Sequence, residues 1–160
     1  MCYKLLTNPT RKGIQMGLDM YLTARQMTFN GWKNPDLYNK LVQEAPFALD
    51  TATLEVQVAY WRKANQIHKW FVDHVQNGVD NCEEYYVSRD QLQLLLDTCK
   101  IVLIDREEAS QLLPVQEGFF FGSYEYNEYY FSDIKDTIEQ LEKVLTEYPE
   151  EWSFKYQSSW

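Results

Sequence analysis

His68 is the residue of this sequence whose type and position are most informative about chemistry. It lies in segment 61–76, which has a helical period, on the apolar side of the predicted helix. That apolar side comprises Ala64, Ile67, His68, Phe71, Val72 and Val75. A charged imidazolium is costly among such neighbours. The sequence therefore allows either a neutral core histidine, bonded to a carbonyl or a tyrosine, or a ligand contact in a cavity beneath the helix.

The opposite stripe of the same predicted helix is polar. It comprises Arg62, Asn65, Gln66, Lys69, Asp73 and Gln76. Solvated side chains are the ordinary explanation for such a stripe. The alternative is that Arg62 and Asn65, with His68 and Arg89, supply polar contacts to a ligand, because the guanidinium fork suits phosphate.

Aromatic side chains are concentrated in segment 117–133, which holds eight rings in seventeen positions. Glycines at 118 and 122 flank three consecutive phenylalanines, which favours a short, bent, extended segment over a helix. Alternation in that segment would place Phe119 and Phe121 on one face and Phe120 on the other. We expect one face to complete the core and the other to open onto a concave site with Tyr126, Tyr129 or Tyr130. A solidly packed aromatic core is the alternative.

A small hydrolase or transferase is the second functional hypothesis. Asp19 lies between apolar neighbours on the first predicted strand and could face a cleft with His68 as an acid–base pair. Asp19 and Tyr21, on the same strand, are also assigned to the candidate ligand-binding site. The condition for this hypothesis is hydrogen-bonding distance between His68 and Asp19 beside an open site.

Motifs for cofactor or metal chemistry are not found in the sequence. It has no glycine-rich phosphate loop, no Gly-x-Ser-x-Gly elbow and no His-Glu-x-x-His. Segment 73–84 has the length of a calcium loop, but Val75 and Asp80 occupy positions where the loop needs a ligand and an apolar residue. No cofactor and no metal are therefore predicted.

The charge balance argues against nucleic acid and membranes as direct partners. The formal net charge is −9, and segment 105–151 carries thirteen acidic residues against three basic ones. Such a surface repels phosphate backbones and anionic lipids. It could imitate DNA toward a DNA-binding protein, which is a third hypothesis. Three cysteines without paired spacing, and no signal peptide, favour a reducing cytoplasm.

The periodicity predicts one α+β domain over residues 16–160, with a small, mainly antiparallel sheet of about four strands packed with three to four helices. The strands are 18–24, 53–61, 84–87 and 152–160, and the second should place Leu54, Val56, Val58 and Tyr60 on one face. Segment 1–15 has no period, so Met16 is the expected natural start and 1–15 a non-native or disordered extension. A homo-oligomer is left open.

Five phrases carry a resemblance to a known group of proteins. They are MGLDMYL (16–22), AYWRKANQIHKWFV (59–72), YYVSRDQL (85–92), LLPVQEGFFFGSYEYNEYYFSDIKDTIEQLE (112–142) and YQSSW (156–160). By them the chain resembles a family of small proteins from bacteriophages and prophage regions. Members sometimes carry an automatic label of phosphoglycerate kinase. A chain of 160 residues without a phosphate loop argues against that label.

The resemblance implies a phage setting, in the cytoplasm of a host cell, rather than a particular reaction. Phage accessory proteins of this size commonly act by binding. The leading hypothesis is therefore an accessory binding protein, with counter-defence as a candidate role. Its partner would be a host defence protein or a small nucleotide-like ligand, since rings stack on bases and arginine binds phosphate.

Overall fold

Antiparallel strands and helices make up the fold, seen in a computed structural model that describes residues 17–29, 35–44 and 51–160. The strands are β1 (Asp19–Phe29), β2 (Thr51–Arg62), β3 (Tyr85–Val87) and β4 (Ser153–Ser159). The helices are α1 (Pro35–Glu44), α2 (Asn65–His74), α3 (Arg89–Ile104), α4 (Ala109–Leu112) and α5 (Glu128–Glu147), with a 3-10 turn at Arg106–Glu108. The α+β class and the four-stranded antiparallel sheet are confirmed. The expected extension 1–15 and the expected start at Met16 lie outside the described residues.

β1 lies in the interior of the sheet, whose strand order is β2-β1-β4-β3. Its apolar residues Leu18, Met20 and Leu22 are fully buried, as the alternation predicts. Leu22 is paired with Ala59 on one side and with Tyr156 on the other. The intervening residues, among them Asp19, point to the opposite face of the sheet, so β1 separates the core from that face.

A β-bulge in β2 changes the predicted face of its last residues. Leu22 pairs with Ala59, but Thr23 pairs with Gln57, so β2 contains one extra residue at this point. A bulge reverses the alternation beyond it. Ala59 and Trp61 are therefore buried, and Tyr60 is exposed. The expectation that Tyr60 shares the face of the preceding apolar residues is wrong for this reason.

α2 is buried on nearly all sides, which corrects the predicted polar stripe. The helix begins at Asn65 rather than Trp61, because Trp61 and Arg62 complete β2. Phe71 stacks on Tyr156 of the sheet with ring centroids 3.9 Å apart. The polar side is covered in turn by segment 116–133, so Asn65 and Gln66 are buried. Gln76, just after the helix, is buried too.

α3 and α5 pack against each other and complete the core. α3 begins with the predicted capping box, in which Ser88 and Gln91 bond each other's backbone. α5 begins at the Asn127 cap, whose side chain accepts from the amides of Tyr129 and Tyr130. Its Thr137 hydroxyl accepts a 2.9 Å hydrogen bond from the indole of Trp61, tying α5 to β2. Within the described ranges, no helix is both long and apolar enough to cross a bilayer.

The three phenylalanines form a turn and not an extended segment. The amide of Phe121 donates to the carbonyl of Gly118 at 3.3 Å, and Phe120 has a φ of 63°. The chain reverses there, so the predicted alternation fails. Phe119 is 83% exposed while Phe121 is 4% exposed, and the two do not share a face. Only Phe121 enters the core, where its ring meets His68 edge-on at 5.4 Å.

Candidate functional site

A cleft of about 270 Å³ lies where β2 meets α2, beneath the start of α5. Arg62, Lys63 and Gln66 form one wall. Loop 122–125 and the first turns of α5, with Tyr129, Tyr130 and Asp133, form the other. It combines cations, carboxylates and tyrosines, whereas the sequence predicts a ligand site of aromatic rings with arginine, asparagine and histidine.

Backbone geometry brings the two walls of the cleft together. Lys63 adopts a left-handed conformation with φ 59°, and its amide donates to the carbonyl of Leu18 at 2.8 Å. Gly122, with φ +104°, presses against Lys63: a Cβ atom on it would lie 2.8 Å from the Lys63 carbonyl oxygen. Only glycine allows that approach. The sequence Gly122-Ser123 therefore fixes the loop against the β2–α2 junction.

The cleft holds two cations that are free of carboxylate partners. Among the residues that the structure describes, neither Arg62 nor Lys63 lies in an ion pair. α2 starts directly after them, and its N-cap residue, Ala64, has no side chain to satisfy the first amides of the helix. The partial positive charge of that helix end adds to the two side chains. This wall of the cleft is therefore suited to an anion.

Asp133 is a partly buried carboxyl group in the other wall. Gln66 Nε2 donates to its Oδ2 at 3.3 Å and to the Tyr130 carbonyl at 3.4 Å. Burial raises the pKa of Asp133 to about 6; the Gln66 hydrogen bond opposes that rise and nearby Asp136 adds to it. No cation of the described residues is paired with Asp133, although two line the same cleft.

Two of the predicted tyrosines line the cleft, and the third packs behind them. Tyr129 is 81% exposed at the cleft, so its ring is free to stack. Tyr130 also lines the cleft but is nearly buried, and its hydroxyl donates to the Leu113 carbonyl at 2.8 Å. That burial raises the pKa of Tyr130. Tyr126 packs on Tyr130, with centroids 4.9 Å apart, outside the cleft lining. Phe120 packs on Phe119 and does not line the cleft either.

Asn65 supports the site and does not face it. Its Nδ2 donates to the carbonyls of Ser123 at 2.8 Å and Phe121 at 3.3 Å, and its Oδ1 accepts from the Gln116 amide at 3.2 Å. Both ends of this 1%-exposed amide are thus bonded to the aromatic segment. The predicted ligand contact is therefore replaced by a structural role, because Asn65 holds one wall of the cleft in place.

His68 lies in a buried hydrogen-bond network instead of a ligand site. Its Nδ1 is 2.7 Å from the Tyr156 hydroxyl and its Nε2 is 2.9 Å from Asp80 Oδ2. The imidazole is fully buried, and this desolvation lowers its pKa against the opposing effect of Asp80. Of the two alternatives that the sequence allows, the neutral core histidine bonded to a tyrosine is the one found.

The pair of His68 with Asp19 is not formed. Asp19 lies on the sheet face opposite the core, where its carboxylate accepts a hydrogen bond from the Tyr60 hydroxyl. Tyr21 lies beside it, with its ring 5.4 Å from that of Tyr60. The alternation of β1 separates the two predicted partners by the thickness of the sheet. The geometric condition of the acid–base hypothesis is therefore not met.

Arg89 is likewise structural. Its two terminal nitrogens donate to the carbonyls of Tyr148 at 2.5 Å and Leu145 at 2.6 Å, which satisfies the last turn of α5.

Of the predicted site residues, the structure brings Arg62, Tyr129 and Tyr130 together in the cleft. The cleft residues that sequence reasoning missed are Lys63, Gln66, Gly122, Ser123, Glu125 and Asp133. Gln66 and Asp133 gave no separate signal among many polar neighbours.

Comparisons with protein-family models, with curated proteins and with solved structures find no match for this chain. The fold and the cleft alone therefore define the class: a small α+β protein with a charged, tyrosine-walled cleft. In the described ranges, no three histidine, cysteine, aspartate or glutamate side chains converge closely enough to hold a metal ion.

Proposed function

We propose that the protein is a binding protein whose cleft takes a small nucleotide-like ligand. One observation carries the proposal: Arg62 and Lys63 line a cleft beside the exposed ring of Tyr129, and neither is paired with a carboxylate among the described residues. Cations that a protein keeps free in a concave site are available for a ligand anion.

The three side chains suit the two halves of a nucleotide. An arginine fork and a lysine bind phosphate oxygens, and the start of α2 contributes its partial positive charge. A base stacks on an exposed tyrosine ring for about 1–3 kcal/mol. This arrangement supports binding rather than catalysis, because the buried His68 has both ring nitrogens engaged away from the cleft. The resemblance to phage proteins adds the proposed setting, in which a host nucleotide is sequestered as a counter-defence.

A host protein is the second candidate partner, and the Phe119–Phe120 turn favours it. Phe119 is 83% and Phe120 44% exposed, and the two rings pack edge-on at 4.2 Å. Paired exposed aromatic rings commonly form the anchor of a protein interface. This turn lies apart from the lining of the cleft, so the two candidates are separable by mutation.

Isothermal titration calorimetry with GMP, AMP, CMP, UMP and inorganic phosphate tests the cleft. We expect binding of nucleotides, weakened about 10-fold or more by combining Arg62→Gln with Lys63→Asn, since each lost charged hydrogen bond removes about 1.5–3 kcal/mol. Asparagine tolerates the left-handed conformation of Lys63. Lys69→Ala is the control, because Lys69 pairs with Asp73 on α2 and does not line the cleft. Equal affinity of wild type and double variant would reject the cleft as the site.

A further inference from the structure

The second wall of the cleft offers hydrogen-bond acceptors to a ligand. Asp133 and Glu125 present carboxylates, and Gln66 has its Nε2 engaged by Asp133 and the Tyr130 carbonyl. We infer, on the basis of the proposed function, that the cleft selects guanine nucleotides, with the base bonded to the Asp133 carboxylate and its phosphate at Arg62 and Lys63.

The unpaired state of Asp133 is the first reason. A carboxylate that loses water gains a compensating partner in most proteins. Among the described residues, the Asp133 carboxylate has only a long hydrogen bond from an amide, and the two cations that line the same cleft do not pair with it. The two cations and the Asp133 carboxylate are thus held apart. The cations are available to an anion, and the carboxylate is available to N–H donors. A ligand that satisfies both must carry an anionic group and a donor edge.

The pattern of donors on the bases gives the choice of guanine. Guanine presents two adjacent donors, N1–H and the N2 amino group, on one edge. A carboxylate accepts two parallel N–H bonds in that arrangement. Adenine and cytosine place an acceptor beside their amino group, and uracil has its single N–H between two carbonyls. An acceptor pair therefore discriminates for guanine, because each other base would direct an oxygen or nitrogen lone pair at Asp133.

The size of the cleft limits the ligand. Its volume, about 270 Å³, lies just under the roughly 300 Å³ at which ligand pockets begin. That space suits one base and one phosphate, with the remainder of the ligand in solvent. A mononucleotide is therefore the form of ligand to test.

The test compares GMP with IMP, which lacks only the N2 amino group, and with XMP, which has a carbonyl in its place. Wild type is expected to bind GMP about 10-fold or more tightly than IMP, the equivalent of one charge-assisted hydrogen bond. Asp133→Asn presents one acceptor and one donor, which match the N1–H and O2 of xanthine. This variant is expected to lose the preference for GMP over IMP and to bind XMP more tightly than GMP. A misfolded variant would not gain XMP binding.

Glu139→Gln is the matched control, since Glu139 is an exposed carboxylate of α5 that does not line the cleft. It should keep the wild-type order of the three nucleotides. Equal binding of GMP and IMP by wild type would overturn the guanine inference and leave the proposed function standing. A preference for GMP that survives in Asp133→Asn would overturn the role of Asp133. If neither nucleotides nor phosphate bind wild type, the proposed function fails as well.

Discussion

The hydroxyl of Tyr156 lies 2.7 Å from Nδ1 of His68, and both side chains are fully buried. Nε2 faces Asp80 Oδ2, which also accepts from Gln116 at 3.2 Å. A carboxylate only accepts, so Nε2 carries a hydrogen. Because burial lowers the pKa of His68 below its usual value, the ring is neutral at pH 7 and Nδ1 accepts from Tyr156. The network therefore holds one neutral tautomer, and a second proton on the ring would face the tyrosine hydroxyl that now donates to it.

Acid should destabilise the protein through His68. Burial lowers its folded-state pKa below the usual 6.5, so the unfolded chain binds more protons at mildly acidic pH. The stability that neutral His68 contributes is fully present above pH 6.5 and is lost as the pH falls from there toward the folded-state pKa. We expect His68→Gln to show a smaller fall in the free energy of unfolding over that window, measured by urea denaturation. His74→Gln, at an exposed position, should retain the wild-type fall. Identical pH curves for wild type and His68→Gln would contradict the assignment.

Asp133 should act in the opposite direction. Its pKa is about 6 in the folded protein against 3.8 for an ordinary aspartate, so the folded state binds more protons between these values. This group therefore stabilises the protein as the pH falls through 6 and costs stability above it. Asp133→Asn should gain stability relative to wild type at pH 7.5 and gain less at pH 4.5. Denaturation curves at the two pH values measure the difference, and a gain that is equal at both would refute the raised pKa.

Local sequence patterns predict much of the core, but they do not predict features that depend on contacts between separate elements. The alternation of β1 and the Ser88–Gln91 capping box are confirmed because each depends on near neighbours. The face of Tyr60 is not predictable in the same way, since a bulge of one residue is set by pairing with β1. The burial of Gln66 likewise depends on a segment about 60 residues away.

Asn65 should stabilise the wall of the cleft through its three bonds to residues 116–123. Asn65→Ala removes them and leaves two carbonyls and one amide without a partner, so we expect a loss of about 2–4 kcal/mol in unfolding free energy. Limited proteolysis should also cut the variant faster within 116–126. Asn81→Ala is the control: it also removes three hydrogen bonds, but water can replace them at this exposed position, so the change should stay within about 0.5 kcal/mol. A change that small for Asn65→Ala would show that the aromatic segment is held by other contacts.

The sequence predicts a few of the residues that line the candidate cleft but not the whole set. Arg62 and Tyr129 follow from the reasoning that a nucleotide needs a cation and a ring. The position of Asp19 between apolar neighbours on the first strand predicts that it faces a cleft, but β1 directs it to the other face of the sheet. Arg89 has the right chemistry but binds the end of α5. Which of several similar side chains converge is decided by long-range packing, which a single sequence does not display.

An apolar residue in place of Gln76 should raise the free energy of unfolding. It is 1% exposed, and neither its Nε2 nor its Oε1 has a hydrogen-bond partner among the described residues. Gln76→Met retains the length of the side chain and removes the polar atoms, so we expect about 1–2 kcal/mol greater stability. Gln93→Met, at an exposed position of α3, should change stability by less than about 0.5 kcal/mol. A loss of stability in Gln76→Met would show that the amide is satisfied in solution.

The backbone of Phe120 should be strained, and its side chain should contribute little to stability. With φ 63°, it occupies a conformation that costs an ordinary residue about 1–2 kcal/mol and glycine little. The ring is 44% exposed, so Phe120→Ala should change stability by less than about 1 kcal/mol. Phe120→Gly should be more stable than Phe120→Ala by about 1 kcal/mol, because both lose the ring and only glycine relieves the strain.

The same pair of substitutions at Phe119 is the control for that comparison. Phe119 is exposed but does not have a positive φ, so glycine there should be no more stable than alanine. Thermal melting of the four variants measures both differences. If glycine has no advantage at 120, the turn is not strained in solution. If glycine at 120 is more stable than alanine, the turn is strained in wild type and still carries the exposed Phe120 ring. Capture of a host protein by wild type but not by Phe120→Gly would then support the second candidate partner.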